Sequence, residues 1–428
     1  MSSKNSSVLS IAIIGTGPSG IYTLQALSRA QQSLQITLYE DGKIAGTGLP
    51  YSPLNNSVEM LSNICSLEIP PLGITFAAWL NAQTPQTLQS LGVNGPISDR
   101  AYYPRIAIGA YYKERFEDII LRMREVGHDV LVRIETRVDD IRRGIGKIEI
   151  VSKNTSVGVA TTTFDCVVVA TGHEERTNEV PGIVPNTKLL KVISDLNCTE
   201  VGIIGTSLSA LDAMVAIASR FGSFSDSKDG QLLFELDPDK SSFHVTLMSR
   251  RGILPDADFY YPLPLIPPVY FNDLSVDALI AQGPNGLLEK VFDLFLWELQ
   301  NSDPAYFACL PKSLNVDNFA QAYFQPRANS DPIAWARHNL LEAAENHQKH
   351  KVVGWRHTIL RSHEVFSRAV AHLNSIDLQR FNMGIKNVFV DNYSAVPLLS
   401  IERLLALQSA GLLSVLRLGE DYCELCNR

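Results

Sequence analysis

Cysteine is scarce in this sequence, with six residues in a chain of 428. So few thiols exclude a disulfide scaffold and fit a reducing compartment. Charge is also sparse, at 19%, and leans acidic: 45 Asp and Glu against 37 Lys and Arg give a net charge of −8. The missing basic surplus argues against a nucleic-acid partner. Long apolar runs are lacking too. Residues 5–28 carry no charge and follow Lys4, but Gly15, Gly17, Pro18 and Gly20 interrupt them, and the apolar block Val8–Ile14 is broken by Ser10. That pattern reads as a buried strand entering a glycine turn rather than a signal peptide or membrane span, so the expectation is a soluble, cytoplasmic protein with no membrane partner. No HExxH occurs among His338, His347, His350, His357, His363 and His372, and no cysteine pair accompanies them, so no metal is assigned.

What is present is 45% apolar residues, enough for a core, over a length that suits two or three domains. Ile11–Ile14 predicts a strand, the following residues a glycine turn and a helix to about Ala30, and Gln35–Tyr39 a second strand. Strand, turn, helix and strand in that order form a βαβ unit with a parallel sheet. Residues 42–75, rich in Gly, Pro, Asn and Ser, read as a long ordered loop. Phe164–Ala170, apolar apart from Asp165, is expected to be a buried strand, and a linker is expected to follow. Val201–Ile204 starts a second strand–turn–helix unit, continued by a strand at Val245–Met248. From about 275 to 380 the periodicity is helical. Val388–Val390 predicts a short strand, and Ile401, Leu404 and Leu405 an amphipathic helix stopped by Gly411.

The strongest motif is Gly15-x-Gly17-x-x-Gly20, with Pro18 and Ser19 inside it. Gly15 permits a tight turn, Gly17 a close approach to a pyrophosphate, and Gly20 close helix–strand packing. The helix N-terminus adds free N–H groups and a positive dipole. Glu40, 20 residues beyond Gly20, ends the next strand, where a carboxylate can accept hydrogen bonds from a ribose diol. A weaker copy, Gly205-x-Ser207-x-x-Ala210, leads to Ser249, Arg250 and Arg251 in place of an acid. Two guanidinium groups and a hydroxyl suit a 2′-phosphate that a carboxylate would repel. The fold class expected is therefore α/β, two Rossmann-like dinucleotide-binding domains with a helical insertion. The expected boundaries are a first dinucleotide-binding domain over 1–190, a second over 191–385 that includes the helical segment of about 275–380, and a return segment, 386–428, packing on the first domain.

These stretches, IAIIGTGPSG, LYEDGKIAGTGLPYS, MLSNICSLEIPPLGITFAAWL, YYPRIAIGAYY, VVVATGH, GIIGTSLSALDA and VTLMSRRGILP, cover roughly residues 9–255. Together the sequence resembles the bacterial FAD-NAD(P)-binding family of two-dinucleotide-binding flavoproteins, related to flavin-dependent and N-hydroxylating monooxygenases. The resemblance implies FAD on Gly15, Gly17, Gly20 and Glu40, a domain exit at Thr171-Gly172, and NADPH on Gly205, Ser207, Ala210 and Ser249–Arg251. It also implies a flavin lined by Leu49–Ser52, with Tyr51 among them, and by Leu61–Asn63. Such flavoproteins return to the FAD domain with a strand ending in Gly-Asp; the nearest match here, Val388 to Asn392, offers Asp391 without the glycine.

The function the resemblance implies is an NADPH-dependent FAD monooxygenase that uses O2 and a flavin C4a-hydroperoxide to oxidise a small molecule, an amine or heteroaromatic. No catalytic side chain is expected, because the cofactor carries the chemistry. Two alternatives stay open: an NADPH-dependent flavin reductase passing electrons to a disulfide or partner protein, and a non-catalytic redox sensor. The pair Cys423-x-x-Cys426 would serve the first alternative, or be two unrelated thiols. Substrate identity and oligomeric state are not encoded in any recognisable pattern.

Overall fold

The computed structural model describes residues 8–173, 184, 188–194, 199–240 and 242–419. The chain divides into two compact units, residues 1–196 and 197–428. In the first, β1 (Leu9–Ile14), α1 (Pro18–Leu27) and β2 (Leu34–Tyr39) make the expected βαβ start. The 42–75 loop follows, with short 3-10 turns at Leu49–Tyr51 and Ser66–Glu68, then α2 (Phe76–Asn81), α3 (Pro85–Ser90) and α4 (Arg105–Glu125). The strands β3 (Asp129–Arg133), β4 (Thr136–Arg143), β5 (Ile148–Asn154), β6 (Gly158–Phe164) and β7 (Cys166–Val169) complete it, and α5 (Leu189–Ser194) ends the unit.

The main sheet is parallel, in the order β3-β2-β1-β7, so β1 is central. Its alternation explains the layering. Ile11 and Ile13 point into a core with Ile36, Leu38, Ile21 and Leu24, closed by the apolar stripe of α4 (Ile108, Tyr111, Tyr112, Phe116, Met123). Ala12 and Ile14 point the other way, towards Ile150 and Phe164 of the antiparallel sheet β4-β5-β6. A strand buried on both faces must be apolar throughout, which is why this stretch imitates a hydrophobic leader in sequence.

The second unit starts with β8 (Glu200–Ile204), α6 (Leu208–Phe221), the hairpin β9 (Gly222–Asp226) and β10 (Leu232–Leu236), and β11 (His244–Ser249). Eight helices follow: α7 (Asp273–Ile280), α8 (Leu287–Ser302), α9 (Pro304–Cys309), α10 (Phe319–Ala328), α11 (Pro332–Lys349), α12 (Gly354–Val370), α13 (Ser375–Met383) and α14 (Ile385–Tyr393). They enclose a core of stacked and tilted phenylalanines, among them Phe271, Phe295, Phe319, Phe366 and Phe389. Then come α15 (Leu398–Ser409) and β12 (Leu413–Arg417).

Two expectations about this last part are corrected. Val388–Val390 lies in a helix, α14, because Ile385, Val388, Phe389 and Asn392 repeat at helical spacing and are all buried. The described part of the expected return segment, 386–419, is built into the second unit. β12 pairs in parallel with β11 over Val245–Ser249, giving the order β12-β11-β8, and α15 packs on α6, β10 and α11. None of the helices among the described residues is long and apolar enough to cross a membrane.

The loop after β11 is tied to the helices through buried charge. Asp256 receives the indole N–H of Trp335 at 2.9 Å, faces Arg356 Nη1 at 2.8 Å and lies 3.6 Å from Arg327 Nη1. Burial would raise its pKa, but the Arg356 and Arg327 charges and the Trp335 bond outweigh burial and hold it below the usual range. Replacing Asp256 with Ala leaves two guanidinium groups confronting each other in the interior. The expected loss is about 3–5 kcal/mol, read as a lower urea midpoint for the second unit; a loss under about 1 kcal/mol would show that the network is not structural.

Candidate functional site

The first glycine turn is built by absent side chains. Gly15 sits at φ +101, and a Cβ there would lie 2.2 Å from the Ala170 carbonyl oxygen at the end of β7. A Cβ on Gly20 would lie 2.2 Å from the Gly15 carbonyl oxygen. α1 is thereby drawn onto the turn, whose Gly15 N–H donates to Tyr39 O at 2.8 Å. Gly17 is the N-cap of α1; it offers no capping side chain, and the first turn of the helix holds no acid. With Pro18 at N1 and Ile21 N–H bonded to Gly17 O, the N–H groups of Ser19 and Gly20 precede the helix ladder. Such a terminus suits a phosphate anion.

Glu40 is fixed beside the turn. It accepts hydrogen bonds from the Thr16 hydroxyl, from Thr16 N–H at 3.3 Å and from Gly42 N–H at 3.0 Å. The 42–75 loop folds over this corner: Gly46 N–H donates to Thr16 Oγ1 at 3.1 Å, and Gly48, at φ +69, lies so close that a Cβ on it would be 2.8 Å from Gly17 Cα. Leu49 is exposed beyond it. The Tyr51 ring meets Tyr112 edge-on at 5.4 Å, and Tyr112 meets Tyr22 at 6.2 Å, forming an aromatic wall. Burial raises the Tyr51 and Tyr22 pKa values, the latter to about 12. Asn63 is half-buried further along the same loop, while Thr171 and Gly172 are exposed just past β7, with Thr171 Cα 3.2 Å from the Cβ position on Gly15.

The second turn repeats the first in detail. Gly205, at φ +122, donates its N–H to Met248 O at 2.7 Å, and Ser207 caps α6 with no side-chain bond and no acid in the first turn. Ala210 is buried in that first turn. Thr206 Oγ1 donates to Ser249 Oγ at 3.3 Å, as Thr16 does to Glu40. Ser249 Oγ also accepts Gly252 N–H at 3.1 Å, and Leu418 and Gly419 N–H groups bond to Ser249 and Arg250 carbonyls, so β12 fixes the basic corner. Arg251 lies over the Phe324 ring at 4.0 Å. The two threonines were missed by the sequence reading, although setting IGTGPSG over IGTSLSA exposes them as one repeated position.

Asp391 is the correction at this site. It sits on α14, where it accepts from the Tyr323 hydroxyl at 2.7 Å and pairs with Arg327. Its carboxylate is committed inside the helical bundle, on a helix rather than at the end of a strand. Cys423 and Cys426 lie outside the described residues.

Comparison with known proteins supplies the family. Residues 12–174 match the FAD-NAD(P)-binding family model, and residues 273–393 match the YdhS-like middle domain. The uncharacterized protein YdhS of Escherichia coli (strain K12) is 41% identical over 96% of this chain and 77% of its own. The chain belongs to the FAD-NAD(P)-binding family. Members are flavoprotein oxidoreductases, and the cofactor pair read from the sequence, FAD and a nicotinamide dinucleotide, is that of the family. Among solved structures, the ornithine N-hydroxylase of Kutzneria sp. 744 is similar with a TM-score of 0.42 at 14% identity, over 64% of this chain and 61% of that one. The bacillithiol disulfide reductase Bdr of Bacillus cereus gives 0.33 at 18%, over 66% of each chain. Tmm of a Pelagibacter strain gives 0.37 at 14%, over 90% and 89%. Their activities belong to those proteins.

The glycine contacts make a stability prediction within this family member. Gly15→Ala and Gly20→Ala each place a methyl carbon 2.2 Å from a backbone oxygen, the first also in a left-handed conformation. Each should cost at least about 1–3 kcal/mol in thermal or urea unfolding. Gly17→Ala meets Gly48 alone, its Cα at 3.2 Å and its N at 3.9 Å, and should unfold within about 1 kcal/mol of the parent. Equal stabilities for all three would contradict the packing.

Proposed function

We propose that the protein is an NADPH-dependent FAD monooxygenase acting on a small nucleophilic molecule. The observation that carries the reading is the pair of threonine-latched glycine turns with opposite endings, Glu40 on one and Ser249-Arg250-Arg251 on the other. The residues of the first turn fit FAD: an uncapped helix start with the N–H groups of Ser19 and Gly20 ahead of the helix ladder, no acid in the first turn, and a carboxylate already oriented beside it. In this reading Gly15, Gly17, Ser19 and Gly20 hold the pyrophosphate, with Pro18 setting the first helical φ, and Glu40 holds the ribose. Tyr51 and the residues around Leu49 and Asn63 shield the isoalloxazine side from water. Gly205, Ser207 and Ala210 receive the NADPH pyrophosphate, and Arg250 and Arg251 its 2′-phosphate, with Ser249 positioning their turn. Thr171 and Gly172 carry the chain out of the FAD unit.

Bound FAD supplies hydride acceptance from the nicotinamide and electron delivery to O2. The protein's contribution is placement and exclusion of water, so no acid–base pair is required of it. Among the described residues Cys65, Cys166 and Cys309 are free and stand on separate parts of the chain.

The purified protein is expected to be yellow and to release FAD, not FMN, on denaturation. Glu40→Ala should weaken FAD binding at least about tenfold in a fluorescence titration, since charge-assisted hydrogen bonds contribute about 1.5–3 kcal/mol. Colourless protein that ignores added FAD would end the proposal.

Electron donor and acceptor are tested separately. NADPH should exceed NADH at least about tenfold in kcat/KM, and Arg250→Ala with Arg251→Ala should erase the preference. Under air the NADPH-reduced protein should consume O2 and, without substrate, release hydrogen peroxide. Equal use of both nucleotides would refute the basic-corner assignment, and reduced flavin inert to O2 would refute the monooxygenase assignment.

A further inference from the structure

The helical bundle carries an open pocket of about 780 Å³ between α9, α10, α11 and α12, in the size range of small-molecule sites. No residue of either glycine turn lines it. Its walls are aromatic: Tyr306 and Trp355 stack at 4.5 Å and 12°, and Tyr323 meets Trp355 edge-on at 5.9 Å. Its floor is the buried network of Arg327, Arg356 and Asp256, whose side chains are 4%, 6% and 7% exposed.

The floor decides what the cavity can take. Arg327 and Arg356 are balanced by Asp256 and by Asp391, which pairs with Arg327 from behind. A charged ligand would leave one buried charge uncompensated, at considerable cost. An anion would also meet Glu342, exposed at the rim, and a cation would meet the two guanidinium groups. Donors are nevertheless in excess. Arg327 Nη1, 3.6 Å from Asp256 Oδ1, is buried and makes no hydrogen bond, and a guanidinium carries five N–H groups and no lone pair. Stacked aromatic rings, balanced buried charge and an unbonded guanidinium N–H favour one complementary chemistry, with the amides of Asn318, Gln321 and Gln325 in the lining able to donate or accept beside it.

We propose that this cavity is a second ligand site, for a flat, neutral molecule with a hydrogen-bond acceptor on its edge, an aryl amide or a related N-heteroaromatic. The site stands apart from the flavin reading, and its occupancy does not require turnover.

The test is ligand-observed NMR on the full-length protein as purified, with three probes of one shape: benzamide, benzoate and benzylammonium. Benzamide should bind at least tenfold more tightly than either ion. Ala322→Phe, which fills the cavity from α10 without touching the charge network, should weaken benzamide at least tenfold while the flavin spectrum and unfolding midpoint stay those of the parent. Arg356→Lys, used if its melting curve remains cooperative, should weaken benzamide and spare the ions' ranking. Four outcomes overturn the proposal: no benzamide binding at millimolar concentration, benzoate or benzylammonium binding as well as benzamide, benzamide binding unchanged by Ala322→Phe, or displacement of benzamide by NADP+, which would make the cavity part of the nucleotide site. A colourless or oxygen-inert protein that still binds benzamide would sink only the flavin reading.

Discussion

Backbone touching backbone at the end of β1 is the constraint on which the first unit rests. Gly15 must be small and left-handed so that the Ala170 carbonyl can pass, and Gly20 must be small so that α1 can sit on Gly15. β1 lies between β2 and β7 in the parallel sheet, so any movement of this turn displaces three strands and a helix together. The same contacts leave the N-terminus of α1 uncapped and open. Stability and the anion-receptive corner are therefore one property of this unit, not two that could be tuned separately.

Local features were readable in the sequence and distant ones were not. The turn, its helix and Glu40 all lie within 26 residues of Gly15 and obey fixed spacing, so pattern alone locates them. The threonine latch was equally local but needed the two units to be overlaid. The tail defied the pattern for two reasons. Three apolar residues at Val388–Val390 suit a strand as well as a helix, and only the burial of Ile385 and Asn392 selects the helix. The partner of β12 is β11, with the entire helical bundle between them in sequence, and a five-residue strand carries no mark of the sheet it will join. The cavity was invisible for a similar reason: its floor draws on Asp256, Arg327 and Arg356, three residues that meet only when helices and loop are assembled.

Within the second unit the buried charges do more than fill space. Asp256 accepts from α11, faces guanidinium groups from α10 and α12, and offers its backbone carbonyl to Val396 N–H at 3.0 Å. Arg251, a few residues earlier, lies on a ring of α10. The chain leaving the basic corner is thus tied twice to the helices, which fixes where that corner stands relative to the bundle inserted behind it.

The late strand β12 has a consequence for how the protein is made. Every strand of the first unit's main sheet has left the ribosome once residue 169 is clear of the exit tunnel, so that unit can fold while synthesis continues. The second unit's sheet must wait for residue 417, with β8 and β11 already made and their remaining edge uncovered throughout translation of the helices. An uncovered parallel edge is a place where chains on neighbouring ribosomes can pair with one another. Slow translation through the helices would lengthen that exposure, and the helical bundle, able to close on its own phenylalanine core, is the element positioned to limit it.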